Sequence, residues 1–193
     1  ELELLATNIG DSAILLKGDW KELIKEIPSL GKVMALTRNE SVVHGKKGVY
    51  GNISFGRHNM GTVLAEDIDL RLFMTNWHFG LAVEVKTPRG PMKSFQFFDE
   101  YGTAVHKIDV LEDSNIENYE NKKKKYPADL QNEELNVIRK VENTTNKDDN
   151  LDVPLLIEKW SNMKDTHDFH GILHSLKISR MSALRNVGNK WAY

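Results

Sequence analysis

Short runs of β-forming residues fill the stretch from Gly31 to about Asp109, and they constrain the fold of this chain more than any other feature. The runs are rich in Val, Ile, Phe and Leu, and turn formers such as Gly56 separate them. Because the connections are short, they predict antiparallel meanders rather than strand–helix–strand crossovers. The predicted strands are 32–38, 49–55, 68–74, 79–85, 93–98 and 104–110.

Helical patterns lie on both sides of this region, which makes the expected fold class α+β: a large antiparallel sheet with flanking helices. Residues 1–130 form the first unit (helix, sheet, helix), residues 131–153 a polar linker and residues 154–193 a helical block. We expect these last helices to have nothing to pack against, as the start of a second unit whose sheet is absent. The predicted helices are 11–28, 114–125 with Ser114 as N-cap, a helical stretch from 154 to about 176, and 179–187.

Composition excludes several classes of protein. The net charge of -2 gives no general attraction to nucleic acid or to an anionic membrane, and no apolar run is long enough to span a bilayer. The chain has no cysteine, which excludes disulfides, thiolate metal sites and covalent haem attachment, and which is compatible with a reducing cytosol. Any cofactor is therefore held by His, Tyr, Met, Lys, Arg or carboxylate side chains.

The histidines after the linker are the candidate cofactor ligands. His167, His170 and His174 have the spacing of one helix face, which is compatible with a zinc site, although no His-Glu-x-x-His pattern is present. A single imidazole beside apolar residues can also bind haem iron. Spacing alone favours neither: ordinary helical histidines are the commoner explanation of the pattern.

Arg71 is the second candidate, because strand alternation places it opposite a core face. Ile68, Leu70 and Leu72 form that core face, whereas Asp69, Arg71 and Phe73 share the other. Arg71 is then either a solvent-facing cation paired with Asp69 or a pocket residue that donates to an anion or to an oxygen ligand. The pattern favours the first interpretation. His44, near a predicted turn, is similarly either a turn residue or a metal or haem contact.

Five segments, in this order and with similar gaps, resemble one bacterial family. They are VMALTRNESVVH at 33–44, GVYGN at 48–52, DLRLF at 69–73 followed by Trp77, SFQFFD at 94–99 followed by Gly102 and His106, and WSNMKDTHDF at 160–169. Together they are similar to the cytoplasmic haemin-degrading or haemin-transport proteins of Gram-negative bacteria, the HemS/ChuS/PhuS type. The resemblance extends over nearly the whole chain.

The resemblance implies a duplicated fold in which each half is an antiparallel sheet with flanking helices and haem lies between the halves. It implies His167 as the axial ligand of haem iron, Arg71 as the distal and catalytic residue, and Phe73 on the same pocket wall. It also implies a less general haem contact at His44. Residues 1–130 then correspond to the first repeat and residues 154–193 to a truncated second repeat. Because the sequence begins without Met, we also expect its natural start to be missing. A truncated second repeat leaves the haem propionates without their partners, and haem binding is then weak.

The resemblance implies haem-iron acquisition in the cytoplasm, with non-covalent haem b as the ligand. Two roles follow from it: oxidative haem breakdown, which needs an external electron donor, or a haem chaperone that delivers haem to a separate haem oxygenase. An inner-membrane haem transporter and a second copy of the chain, in a homodimer, are further expected partners. Neither nucleic acid nor membrane insertion is expected.

Overall fold

A computed structural model describes residues 2–18, 20–39, 41–56, 59–88, 90–129, 131, 135–139, 151–166 and 168–191. The chain divides into two compact units, Glu1–Lys140 and Val141–Tyr193. Much of the predicted linker 131–153 lies outside the described residues, and the repeat boundaries at 130 and 154 remain predictions. Leu135 and Val137 belong to the first unit and pack against its smaller core cluster, which includes Leu2 and Phe98. Among the described residues, no helix is both long and apolar enough to cross a bilayer.

The first unit contains two antiparallel sheets. The larger has six strands in the order β1-β7-β8-β9-β2-β3, and the smaller has three in the order β4-β5-β6. This arrangement confirms the predicted large antiparallel sheet and the α+β class. The strands are β1 Ala13–Leu15, β2 Lys32–Arg38, β3 Val43–Val49, β4 Ile53–Phe55, β5 Met60–Leu64, β6 Asp69–Phe73, β7 Phe79–Thr87, β8 Gly90–Phe98 and β9 Ala104–Val110.

The predicted strand 49–55 was wrong because the chain passes from the large sheet to the small one within it. The run 49–55 contains the end of β3, which belongs to the large sheet, and the whole of β4, which belongs to the small one. The chain turns between them, where Asn52 adopts a positive φ of 45°. Asparagine tolerates this left-handed conformation better than most residues do. Strands β1 and β5, and all of β3 except its last residue, were not predicted.

Three helices flank the sheets: α1 Leu2–Ala6, α2 Trp20–Glu26, which continues as a 3₁₀ turn Ile27–Leu30, and α3 Ile116–Lys125. The predicted helix 11–28 began too early, because residues 13–15 pair with β7 instead. The N-cap of α3 is Asn115, whose side chain accepts a hydrogen bond from the backbone N–H of Asn118. Ser114 instead bonds Leu111 and Lys32, so its predicted capping role was wrong.

The main core lies on the face of the large sheet that carries Phe95, Phe97 and Ile108. Trp20 of α2 packs edge-on against Phe97, with ring centroids 5.6 Å apart. The opposite face is covered near β1 and β7 by Leu2 of α1. Both faces are therefore partly buried, which explains why β8 ends in a continuous buried run rather than alternating.

The second unit consists of α4 Val153–Ser161, α5 Asp168–Leu176 and α6 Arg180–Asn186. Its helices bury their own small core, made of Leu156, Ile172, Ala183 and Val187. The expectation that these helices have nothing to pack against was therefore wrong. The helical stretch predicted from 154 is divided into α4 and α5 by non-helical residues around Met163. The predicted helix 179–187 is confirmed, with the Ser179 side chain as its N-cap.

Candidate functional site

Strand β6 places Arg71 and Phe73 on its exposed face. Ile68 and Leu72 are buried in the main core, as the alternation predicted. The Arg71 side chain is half-exposed, and its Nη1 lies 2.5 Å from Oδ1 of Asp69. In this structure Arg71 is thus a half-exposed cation paired with Asp69, as the first interpretation predicted. An exposed pair of this kind contributes little to stability, about 0–1 kcal/mol.

Arg71 also lines a small pocket of the first unit, here called the Arg71 pocket. Its volume is about 110 Å³, and Phe73, which is 57% exposed, forms part of the same wall. The structure therefore brings two of the predicted site residues together. The described residues that line it are Thr37, Arg71, Leu72, Phe73, Asn76, Trp77, Val105 and His106.

His44 lies beside this pocket but is not among its lining residues. It is the second residue of β3 and pairs with Thr37 of β2, which pairs in turn with His106 of β9. Residues directly opposite one another in antiparallel strands point to the same face of a sheet. His44, Thr37 and His106 therefore form a row on the core face. His44, at the edge strand, is exposed.

The pocket is backed by a buried aromatic and imidazole cluster. His106 is 2% exposed and its Nε2 lies 2.6 Å from the hydroxyl of buried Tyr50. The indole of Trp77 stacks on the His106 ring at 5.6 Å and on Phe97 at 4.3 Å. Trp20 fixes Trp77 further by donating from Nε1 to its backbone carbonyl.

Burial sets the protonation of this cluster. It lowers the pKa of His106 to about 4, because the charged imidazolium is poorly solvated there. Burial also raises the pKa of Tyr50. Both groups are neutral at pH 7. Neither Tyr50 nor His106 was predicted as a site residue, although His106 alternates in phase with the buried residues Ala104 and Ile108 of β9.

The second unit has a larger, mainly apolar pocket of about 450 Å³. This volume lies within the range of about 300–1,000 Å³ that is usual for small-molecule sites. Trp160 and Phe169 meet edge-to-face in its wall, with centroids 5.1 Å apart. Arg180, the first residue of α6, adds a cation. The described residues that line it are Trp160, Met163, Thr166, Phe169, His170, Arg180 and Leu184.

His167, the predicted iron ligand, lies outside the described residues. The residues on either side of it are described: Thr166 lines the pocket of the second unit, and Asp168 begins α5. The Asp168 carboxylate accepts hydrogen bonds from the backbone N–H groups of Lys164 and Asp165, at 3.0 and 3.3 Å. These bonds fix the turn that precedes His167.

The described part of the chain contains no cluster of three or more His, Cys, Asp or Glu residues that could hold a metal ion. His170 and His174 are both on α5. The zinc hypothesis also requires His167, so it remains untested.

Comparison with known proteins shows which fold and family these features belong to. The structure matches that of holo-PhuS, a heme-binding protein from Pseudomonas aeruginosa, with a TM-score of 0.85 and 36% identity. The match covers 98% of this chain and 56% of the PhuS chain. The heme-degrading enzyme ChuS of Escherichia coli O157:H7 matches 97% of this chain and 54% of its own, with a TM-score of 0.84 and 26% identity. The chain therefore has the fold of about half of these proteins.

Sequence comparison agrees with the structural one. The whole chain aligns with the hemin transport protein HemS of Yersinia enterocolitica at 32% identity, and with HmuS of Yersinia pestis at 33%. It spans about half the length of these curated relatives, 55% in each case. Residues 1–126 match the family described as haemin-degrading HemS.ChuX domain, and the chain belongs to this family.

Proposed function

We propose that this chain binds haem non-covalently in a bacterial cytoplasm and serves haem-iron acquisition. The observation that carries the proposal is the match of 98% of the chain, at 36% identity, to a protein described as heme-binding. The apolar pocket of the second unit supports it, because a porphyrin needs aromatic and aliphatic walls. Since the chain has no cysteine, the ligand would be haem b held without covalent bonds.

His167 is the proposed axial ligand. Its segment WSNMKDTHDF ends next to the apolar pocket, at the turn that Asp168 fixes. A neutral imidazole binds haem iron, whereas the protonated ring does not, so binding would weaken as the solution becomes acidic. Arg180, at the pocket wall, offers a guanidinium that could pair with one haem carboxylate.

Arg71 and Phe73 are the proposed haem contacts from the first unit, with His44 as a further contact. The Arg71 guanidinium has several N–H donors and can donate to an oxygen ligand while still bonded to Asp69. In haem breakdown, such a donor stabilises negative charge that develops on oxygen. Phe73, largely exposed, offers an apolar face to the porphyrin.

The proposal has an enzyme form and a carrier form. In the first, the chain promotes oxidative haem breakdown with an external electron donor and Arg71 as the catalytic residue. In the second, it delivers haem to a separate haem oxygenase and does no chemistry itself. An inner-membrane haem transporter as donor and a homodimer are compatible with both forms.

Titration with haemin tests binding. We expect a saturable Soret shift that is lost in His167→Ala and kept in His174→Ala, a matched control on the exposed side of α5. Retention of zinc by the unmodified chain without any Soret change would support the zinc site instead. A chain that shows no Soret shift at any haemin concentration refutes the proposal.

Reaction with a reductant in air distinguishes the two forms. With ascorbate and catalase present, loss of the Soret band with one tetrapyrrole product per haem indicates an enzyme. Bleaching that catalase abolishes indicates peroxide side chemistry and a carrier. If the chain is an enzyme, Arg71→Leu should keep haem but slow the reaction by roughly 10²–10³, the usual effect of removing one charge-stabilising donor.

A further inference from the structure

Strand β3 forms an open edge of the large sheet. It is the last strand in the order β1-β7-β8-β9-β2-β3, and β2 is its strand partner within the described residues. Every residue of β3 except Gly48 is exposed. The opposite edge is shorter, because β1 has three residues whereas β3 has seven. A long, exposed edge strand presents backbone N–H and C=O groups to which another polypeptide strand can pair.

The pairing with β2 determines which backbone groups of β3 point outward. At the turn between the two strands, the N–H of Asn39 donates to the carbonyl oxygen of Val42 at 3.0 Å. Opposed residues of antiparallel strands alternate between hydrogen-bonded and non-hydrogen-bonded pairs, so His44, Lys46 and Gly48 bond to β2. The residues whose N–H and C=O groups point away from the sheet are Val43, Gly45, Lys47 and Val49. No backbone hydrogen bond to these outward groups is found in the described part of the chain.

The charge of β3 determines what can pair with it. Its sequence, VHGKKGV, contains two lysines and no acidic residue. Lys46 is half-exposed and paired with Asp67 at 3.3 Å, whereas Lys47 is exposed and has no ion pair among the described residues. Lys32 of β2, opposite Val49, adds a further exposed cation. An acidic segment beside β3 would therefore meet positive charge that is not neutralised.

The same lysines disfavour a second copy of the chain at this edge. If two β3 strands met antiparallel with full overlap, the central residue of each strand, Lys46, would lie opposite its counterpart. Like charges directly opposite each other destabilise a strand pair, and lysine on an edge strand is a common protection against self-association. The occupant with complementary charge is an acidic strand.

We propose that the outer edge of β3 is a docking site for an extended, acidic segment of a partner protein, which adds to the six-stranded sheet as a seventh strand. Backbone hydrogen bonds to Gly45 and Lys47 hold the segment, and the Lys47 ammonium selects its acidic side chains. Docking uses the first unit and needs neither His167 nor haem, so this inference stands apart from the proposed function.

Amide NMR of the full chain without haem tests the site, with an octapeptide of alternating threonine and glutamate as the probe. We expect saturable shifts in β3 and slower amide exchange at Gly45 and Lys47. Exchange at Lys46 and Gly48 should change little, because these amides already bond to β2. An octapeptide of alternating threonine and lysine should not bind. No saturable shift up to about 10 mM acidic peptide, or protection without this alternation, overturns the proposal.

Two kinds of variant locate the contact, and backbone amide spectra verify that each is folded. Lys47→Glu should weaken binding of the acidic peptide by roughly 2- to 30-fold at low salt, whereas Lys124→Glu, at an exposed position of α3, should leave it unchanged. Equal binding by Lys47→Glu and the unmodified chain refutes the site.

Lys47→Pro and Lys47→Gln distinguish strand addition from simple charge attraction. Both remove the charge, but proline also removes the outward N–H without breaking a bond to β2, so it should bind the peptide more weakly. Equal binding by these two variants refutes strand addition. Protection of Gly45 that rises with protein concentration in the absence of peptide indicates a second copy of the chain at the edge and also refutes the proposal.

Discussion

The buried His106 should make the first unit sensitive to acid. Burial lowers its pKa from 6.5 to about 4 in the folded chain. The unfolded chain therefore binds a proton more readily, so the stabilising effect is complete above pH 6.5 and is lost as the pH falls towards 4. Because a tenfold change in proton affinity corresponds to about 1.4 kcal/mol, the full loss is about 3 kcal/mol, of which about 2 kcal/mol is lost by pH 5.

Urea unfolding of the wild type and of His106→Gln, compared at several pH values, isolates this effect. The amide signals of Phe95 and Phe97 in the core of the first unit provide a local readout. Glutamine does not titrate, so groups common to both proteins cancel when the two free energies of unfolding are subtracted. The wild type should lose its advantage over the variant, by about 2 kcal/mol, between about pH 7 and pH 5.

A second variant controls for any general effect of removing a histidine. His78 is exposed, and His78→Gln should follow the wild type at every pH. The reasoning is refuted if His106→Gln and the wild type lose stability in parallel on acidification. That result would mean that His106 is solvated, or paired with a carboxylate, in the folded state.

Three further substitutions test the packing and the helix ends. Gly80→Ala places a Cβ only 2.5 Å from the Trp20 ring, and we expect overpacking to cost about 1–3 kcal/mol in urea unfolding of the first unit. Asn115→Ala removes the cap of α3 and should cost about 1 kcal/mol in the same assay, with an unchanged Trp20 environment. Ser179→Ala should destabilise only the second unit, also by about 1 kcal/mol, seen as faster amide exchange in α6 while exchange in β8 stays the same. A loss of exchange protection in β8 would contradict the division into two units.

The sequence was sufficient to predict the limits of those strands whose ends lie close to turn residues. Strands β2 and β9 have the predicted limits because each is bounded by Gly, Asn or Asp residues within three positions. A single strand was wrongly predicted at 49–55 because the hydrophobic pattern continues where the chain passes from one sheet to the other. Strand β1 has only three residues, and its pairing with β7, about 70 positions away, leaves no local signal.

The site was only partly predictable for a similar reason. Alternation in β6 correctly placed Arg71 and Phe73 on the face opposite the core. It could not show that His106 lies next to them, because that proximity depends on how the small sheet packs on the large one. Sequence spacing describes neighbours within one element, whereas a pocket is made by residues from several elements. The roles of His167 and His44 rest on family resemblance and remain to be tested.

Because of its position, Arg71 is a suitable residue for separating effects on function from effects on stability. Its side chain is half-exposed and its ion pair with Asp69 is worth about 1 kcal/mol or less, whereas the core side of the same strand is held by Ile68 and Leu72. Replacing Arg71 should therefore leave the fold nearly unchanged, so a lost haem reaction would report the guanidinium itself. His106 behaves in the opposite way, because its removal alters both the core and the pocket. The function of the pocket should therefore be tested first by substitution of Arg71, and only then by substitution of His106.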